Sequence, residues 1–269
     1  MGQRRGRISA AQLRTKLRLT QLRRHALAEA TVDTQRVYVT LWTAPRDEQG
    51  GKVGVRWKAR GLAVLQFDKS EPALDIMNPI VISTLRSWMA RGSVAALFES
   101  PTCTSWSVAS CRPNLRSNAC PWGLSDLTRK CQAKVDLGNQ EGRIALGFLE
   151  HSYQCDVPAA LEHPGGSYLL KTDEFSNMQQ TCDAALGKFN QCCFGAKWWK
   201  PTALVSVGSG AGNQWVCSFG KQCSRQHGVC DFTGLPHVKA KGRLCELSSI
   251  YPPSMSRKIA DRLAAQAVM

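Results

Sequence analysis

Short apolar runs, each closed by a polar or turn-forming residue, recur along this chain. Residues 94–98 form one such run and stop at Glu99-Ser100-Pro101, which predicts a buried strand followed by a turn. Residues 62–67 and 157–161 repeat the pattern and end at Asp68 and Glu162. Residues 37–42, 189–194 and 203–207 add three further strand candidates. Between these runs the spacing of apolar residues becomes helical. Val81, Leu85, Trp88 and Met89 share one face behind Asn78-Pro79, a capping asparagine with proline in the first turn, and Gly92 closes the segment. Val53 and Trp57 lie one turn apart ahead of Gly61, and Ile144, Phe148 and Leu149 mark another helix. Residues 175–186 fit a further helix, and Met255, Ile259 and Leu263 follow Pro252-Pro253-Ser254 on one face. Residues 115–138 are polar and glycine-punctuated and read as a long loop. The alternation of strand and helix, clearest over residues 50–107, predicts an α/β fold with parallel strands.

Open α/β sheets bind ligands beyond the carboxyl ends of their strands. Cys103 falls just past the run at 94–98, among hydroxyl side chains and Trp106, and Glu162 ends the run at 157–161. If the two strands are neighbours, both residues face one crevice. Gly50-Gly51, a helix, a strand and then Asp68 match the layout of a nucleotide-ribose site, although a plain strand-helix-strand turn uses the same residues. Asp75 stands in the loop before the next helix. Lys197, Trp198, Trp199 and Lys200 offer cations for phosphate and aromatic faces for stacking, while an ordinary hairpin with packed tryptophans fits them too. Arg116, in the polar loop, is a further candidate for phosphate contact.

Composition narrows the classes. With 269 residues, 43% hydrophobic and 20% charged, the chain is suited to one large globular domain, or to one domain with appendages, rather than to wholesale disorder. It has no apolar stretch long enough to predict a membrane span. The net charge of +15 points to a polyanionic partner, nucleic acid first, while solubility or an anionic membrane surface would account for the same charge. About half of that excess lies in residues 1–28, which hold eight of the 35 basic side chains and no acid. Leu13, Leu17, Leu22 and Ala26 make that arm an amphipathic helix candidate. A nucleic-acid arm, an organelle transit segment and a solvated appendage all fit it. The domain reading is therefore a basic helical extension over 1–35 and an α/β domain over 36–269, with a short Cys/His-containing insert at 208–250.

The twelve cysteines show no secreted disulfide framework and no secretory signal precedes them. Reduced thiols in an intracellular setting, nuclear or organellar, are expected. Cys217, Cys223, His227, Cys230, His237 and Cys245 contain enough ligands for zinc, but they include no C-x2-C pair, so no metal is expected.

Taken in order, these parts resemble the DNA cytosine-5 methyltransferase family, and within it a divergent branch associated with protist mobile elements. Thr102-Cys103-Thr104-Ser105-Trp106-Ser107 is similar to its Pro-Cys nucleophile motif, and Glu162-His163-Pro164 to its Glu-Asn-Val or Glu-Asn-Pro motif. Residues 194–200 stand where the family has Tyr-Gly-x-Pro-Gln-x-Arg-x-Arg, and residues 251–264 resemble its closing helix. The resemblance covers about residues 50–265. It implies a Rossmann-like S-adenosylmethionine-dependent methyltransferase fold with Cys103 and Glu162 catalytic. It also implies cofactor contacts from Gly50, Gly51, Asp68 and Asp75, and nucleic-acid contacts from Arg116, Lys197, Trp198 and Lys200.

The implied chemistry suits these residue types. A thiolate adding to cytosine carbon 6 makes carbon 5 nucleophilic enough to take a methyl group, while a carboxyl group at N3 stabilises the adduct. The base must leave its helix to reach them. The chain also departs from the family. Thr102 replaces the proline, His163 replaces the asparagine, and residues 44–49 (Ala-Pro-Arg-Asp-Glu-Gln) stand where Phe-x-Gly-x-Gly would end the first strand. The segment between 207 and 251 is too short for the usual target-recognition domain. The alternative reading is an inactive, nucleic-acid-binding relic of a methyltransferase.

Overall fold

The computed structural model describes residues 27–33, 35–42, 52–68, 74–107, 114–208, 210–239 and 250–268. Among them, six strands form one mixed sheet: β1 (Val37–Leu41), β2 (Val64–Phe67), β3 (Val94–Glu99), β4 (Ala159–Pro164), β5 (Ala185–Asn190) and β6 (Pro201–Val207). Their spatial order is β2-β1-β3-β4-β6-β5. The first four are parallel, and β6 runs antiparallel between β4 and β5. The fold is α/β and Rossmann-like. From β1 the chain moves outward to β2 and then crosses to β3 on the other side, so the order reverses between β1 and β3. Such a reversal opens the crevice in which α/β sheets place ligands.

Among the described residues, five whole α-helices and the helical segment 27–33 cover the sheet: α1 (Val53–Lys58), α2 (Pro79–Ala90), α3 (Arg129–Gln154), α4 (Asp173–Thr181) and α5 (Pro253–Gln266). Central strands buried on both faces explain the mostly apolar runs at β1 and β3. One face presents Val39, Leu41, Leu97, Leu161 and Val205 to apolar side chains of α2, α3 and α4. The other presents Tyr38, Phe98, Ala160 and Leu204 to Trp57 of α1, to Met255, Ile259 and Leu263 of α5, and to Trp215 and Phe219 of the 3-10 segment Gly210–Phe219. Trp57, fully buried, donates from Nε1 to the Ala260 carbonyl at 3.0 Å and ties α1 to α5. Asn78 caps α2 by accepting from the Ile80 N–H, as its position before Pro79 predicts.

The end of the basic extension is docked rather than separate. Residues 27–33 are helical, bury Ala28 and Val32 in the core, and place Glu29 to accept from Trp88 Nε1 at 3.1 Å. The amphipathic stripe from Leu13 to Ala26 lies outside the described residues.

Four expectations are corrected. The expected loop over 115–138 ends at Thr128, whose hydroxyl accepts from the Cys131 N–H and starts a helix of 26 residues. Gly138 and Gly142 are not breakers there but the notch into which Trp106 packs: a Cβ on Gly142 would lie 2.9 Å from the Trp106 ring, and one on Gly138 2.2 Å from Ser105 Oγ. The helix expected over 175–186 stops at Thr181, and β5 begins at Ala185 after Asp183 takes a positive φ of 47°. The strand expected over 189–194 is therefore the end of β5 followed by a 3-10 turn. The strand expected over 157–161 begins later and runs to Pro164, so Glu162 lies inside it, opposite Leu204 of β6.

Candidate catalytic pocket at the carboxyl edge of the sheet

β3 and β4 are hydrogen-bonded neighbours, with Glu99 in register with Leu161. The loop after β3 and the last residues of β4 therefore emerge side by side. Alternation along β4 sends Glu162 and His163 to opposite faces. Glu162 is 5% exposed, and its Oε2 accepts from Tyr251 Oη at 2.7 Å and from Ser100 Oγ at 3.3 Å. Ser100 and Tyr251 are also 2.7 Å apart, closing a three-membered network. Glu162 Oε1 is buried and finds no hydrogen-bond partner among the described residues. Burial pushes the Tyr251 hydroxyl well above the ordinary 10.0, and negative charge on Glu162 and, more weakly, on Cys103 adds to the shift. Tyr251 thus stays a proton donor to Glu162. Ser100, three residues before Cys103, bonds to Glu162, so the Cys103 loop and Glu162 stand at the same edge of the sheet.

The Cys103 loop is held from the opposite face. The Thr102 N–H donates to Glu141 Oε2 of α3 at 3.1 Å, and the Trp106 and Ser107 N–H groups donate to the Cys103 carbonyl at 3.0 Å each. Trp106 is fully buried and donates from Nε1 to the Gly138 carbonyl at 3.1 Å. Thr102 lacks a proline's stiffness, and this anchoring on α3 supplies it instead.

Arg116 requires a correction. It is 1% exposed, its guanidinium lies 3.5 Å from the Trp106 ring centroid, and its N–H groups donate to Ser105, Pro121, Val135 and Asn139. Nε makes one of these bonds and each terminal nitrogen two, so all five donors are spent inside the protein and none remains for a phosphate. Lys197 is exposed, Trp198 half-buried and Lys200 half-buried, with Lys200 Nζ 6.0 Å from the Tyr251 ring centroid. This loop therefore borders the Glu162 network. Asp68 is buried at the carboxyl end of β2. Asp75 Oδ1 accepts from the Met77 N–H at 2.9 Å, a local turn that leads into α2. Gly50 and Gly51 lie outside the described residues.

Two buried ionisable groups escaped the sequence reading. Glu99 is fully buried, and neither carboxylate oxygen has a hydrogen-bond partner among the described residues. Burial raises it well above 4.5. His163, also fully buried with both ring nitrogens unpartnered, is lowered from 6.5 to about 3 by burial, with the cations of Lys200 and Arg116 adding to the shift. Burial disfavours the charged form of both, and His163 is neutral near pH 7. Tyr251 and Glu141 were missed as well. For Glu141 the signal was present: with Gly138 and Gly142 it forms one face of a helix, legible once 129–154 is read as helical. A cleft of about 440 Å³ between α2 and α3, lined by residues including Met77, Ile82, Gln140 and Arg143, contains none of the candidate residues.

No protein-family description matches the chain, and no curated protein does. Among solved structures, a triple mutant of Spodoptera frugiperda DNMT2 is similar at a TM-score of 0.37 and 13% identity. The match covers 66% of this chain and 51% of that one, so the chain spans about half that protein's length. No helix among the described residues is long and apolar enough to cross a membrane.

Proposed function

We propose that this chain is an S-adenosylmethionine-dependent cytosine-5 methyltransferase acting on nucleic acid, most readily DNA. One observation carries the reading. Glu162 is fixed through Oε2 by Tyr251 and Ser100, beside the Cys103 loop, while its Oε1 is buried without a partner. A buried carboxylate oxygen left open in this way is suited to the N3 edge of an extruded cytosine.

In this reading the Cys103 sulfur bonds to carbon 6, and the displaced ring electrons are held by the Glu162 carboxyl at N3. Carbon 5 then takes the methyl group, loses its proton to a base, and the sulfur–carbon bond breaks to restore the thiolate. Tyr251 and Ser100 orient Glu162, and Lys200 with the tryptophans of its loop bears on the nucleic-acid backbone and bases. Asp68, buried where β2 ends near the strand-order reversal, fits a ribose-binding acid. The cofactor, when bound, supplies a methyl group on a sulfonium leaving group.

The second reading, a nucleic-acid-binding protein without turnover, is favoured by residues 44–49, which lack the glycines expected after the first strand. Calorimetry of S-adenosylhomocysteine with the full chain separates the two. Saturable binding weakened by Asp68→Ala supports the enzyme, and covalent trapping of wild-type chain, but not Cys103→Ala, on 5-fluorocytosine DNA completes it. Glu162→Gln is expected to slow methyl transfer by roughly 10²–10⁴-fold. If the homocysteine ligand fails to bind while DNA still does, the binding-protein reading replaces the enzyme.

A further inference from the structure

Residues 221–239 form a lobe whose order the apolar core does not explain. Among them only Cys223 and Cys230 are buried and only His237 is half-buried; every other side chain is exposed. The exposed ones include Val229, Phe232, Leu235 and Val238, each at least 37% accessible. A segment of this length that buries no aliphatic or aromatic side chain needs a cross-link to keep one conformation. Its inward-pointing side chains converge on Cys192, which follows β5. The Sγ atoms of Cys192, Cys223 and Cys230 and a ring nitrogen of His237 all lie within 4.8 Å of one another.

We propose that Cys192, Cys223, Cys230 and His237 form a structural zinc site that fastens this lobe to the end of β5. Three thiolates and one imidazole are a characteristic zinc donor set, and four protein ligands leave no open position for catalysis. Tetrahedral coordination at the usual Zn–S and Zn–N lengths puts a sulfur and a nitrogen roughly 3.5 Å apart. Cys223 Sγ and His237 Nε2 are 3.7 Å apart.

The surrounding backbone is built to suit this site. The Cys223 N–H donates to Asn190 Oδ1 at 2.7 Å, fixing that ligand to the last residue of β5. Tight local turns bring the ligands round: Arg225, His227, Gly228 and Gly234 all have positive φ. Neighbouring Cys193 is not part of the set, since its Sγ points to the Lys221 carbonyl at 3.4 Å. The ligands are spaced 31, seven and seven residues apart, so no C-x2-C pair announces them.

The lobe in turn props the Lys-Trp-Trp-Lys loop. The Val238 N–H donates to the Lys197 carbonyl at 2.7 Å, Trp199 Nε1 donates to the Cys223 carbonyl at 3.3 Å, and Arg225 lies 4.7 Å from the Trp199 ring centroid. Zinc would therefore set the shape of the loop that borders the Glu162 network. The site stands whether or not the chain transfers methyl groups.

The test is metal analysis of the reduced full-length chain, with cobalt as a spectroscopic substitute. About one zinc per chain is expected, and cobalt should show the visible bands of a tetrahedral ion with thiolate-to-metal charge transfer. Cys230→Ser and Cys223→Ser should lose the metal, while Cys193→Ala and Cys217→Ser should keep it. Because a ligand variant can misfold, the wild-type chain is also treated with a chelator: trypsin should then cut after Arg225, and zinc should restore protection. A reduced wild-type chain that takes up neither zinc nor cobalt, a cobalt spectrum without thiolate charge transfer, or disulfides among these cysteines under reducing purification would each overturn the proposal.

Discussion

Glu162 and His163 are adjacent in β4, both are buried, and they meet burial in opposite ways. On one face of the sheet Glu162 keeps a hydrogen-bonded network of Tyr251 and Ser100. On the other, His163 has no hydrogen-bond partner among the described residues and is neutral because its charged form is too costly there. Glu99, one strand away, follows His163 rather than Glu162. A buried polar group is tolerated either by bonds that satisfy it or by giving up its charge. Only the first leaves a group fixed in place and ready for chemistry, and that is why Glu162, rather than Glu99 or His163, is the candidate catalytic carboxyl.

The largest expected effect tests the unpartnered face. His163 stays neutral in the folded chain while the unfolded chain binds a proton below 6.5, so its contribution is full above that value and is lost as pH falls toward about 3. The loss should reach on the order of a few kcal/mol, read as a falling urea midpoint on acidification. His163→Leu should flatten that dependence; an unchanged pH profile in the variant would put the acid sensitivity elsewhere.

A smaller effect tests the partnered face. Tyr251→Phe removes the donor from Glu162 Oε2 and should cost about 1–3 kcal/mol in denaturant unfolding, with a fall in any methyl transfer. If stability is unchanged and transfer is normal, the network is not what positions Glu162.

Glu99 gives the smallest effect, with the opposite sign to His163. The folded chain holds a proton that the unfolded chain releases above 4.5, so its contribution is present in acid and is lost as pH rises. Glu99→Gln cannot ionise and should gain about 1–2 kcal/mol near neutrality and little in acid, measured by paired urea titrations. Equal effects at both pH values would mean that Glu99 is not held protonated.

Much of the sheet was legible in the chain because central parallel strands must be largely apolar on both faces, which makes residues 94–98 of β3 stand out as an unbroken run. The caps of α2 and the apolar stripe of α5 were legible for an equally local reason: Asn78-Pro79 and Met255, Ile259 and Leu263 act within one or two turns. Cys103 and Glu162 could be singled out because each closes such a run. Where a signal depended on a distant partner it misled. Gly138 read as a loop residue, since nothing local reveals the indole of Trp106 that needs the space it and Gly142 leave. Arg116 read as a phosphate ligand for the same reason: its charge is visible in the chain, but the five acceptors that use it come from Ser105, Pro121, Val135 and Asn139 after folding. The thiol cluster is the extreme case, because Cys192 lies 31 residues before its first partner. Periodicity and capping are local and survive in a one-dimensional string. Which buried group is satisfied, which is merely neutral, and which thiols meet are matters of packing between remote segments, and they were settled by the fold.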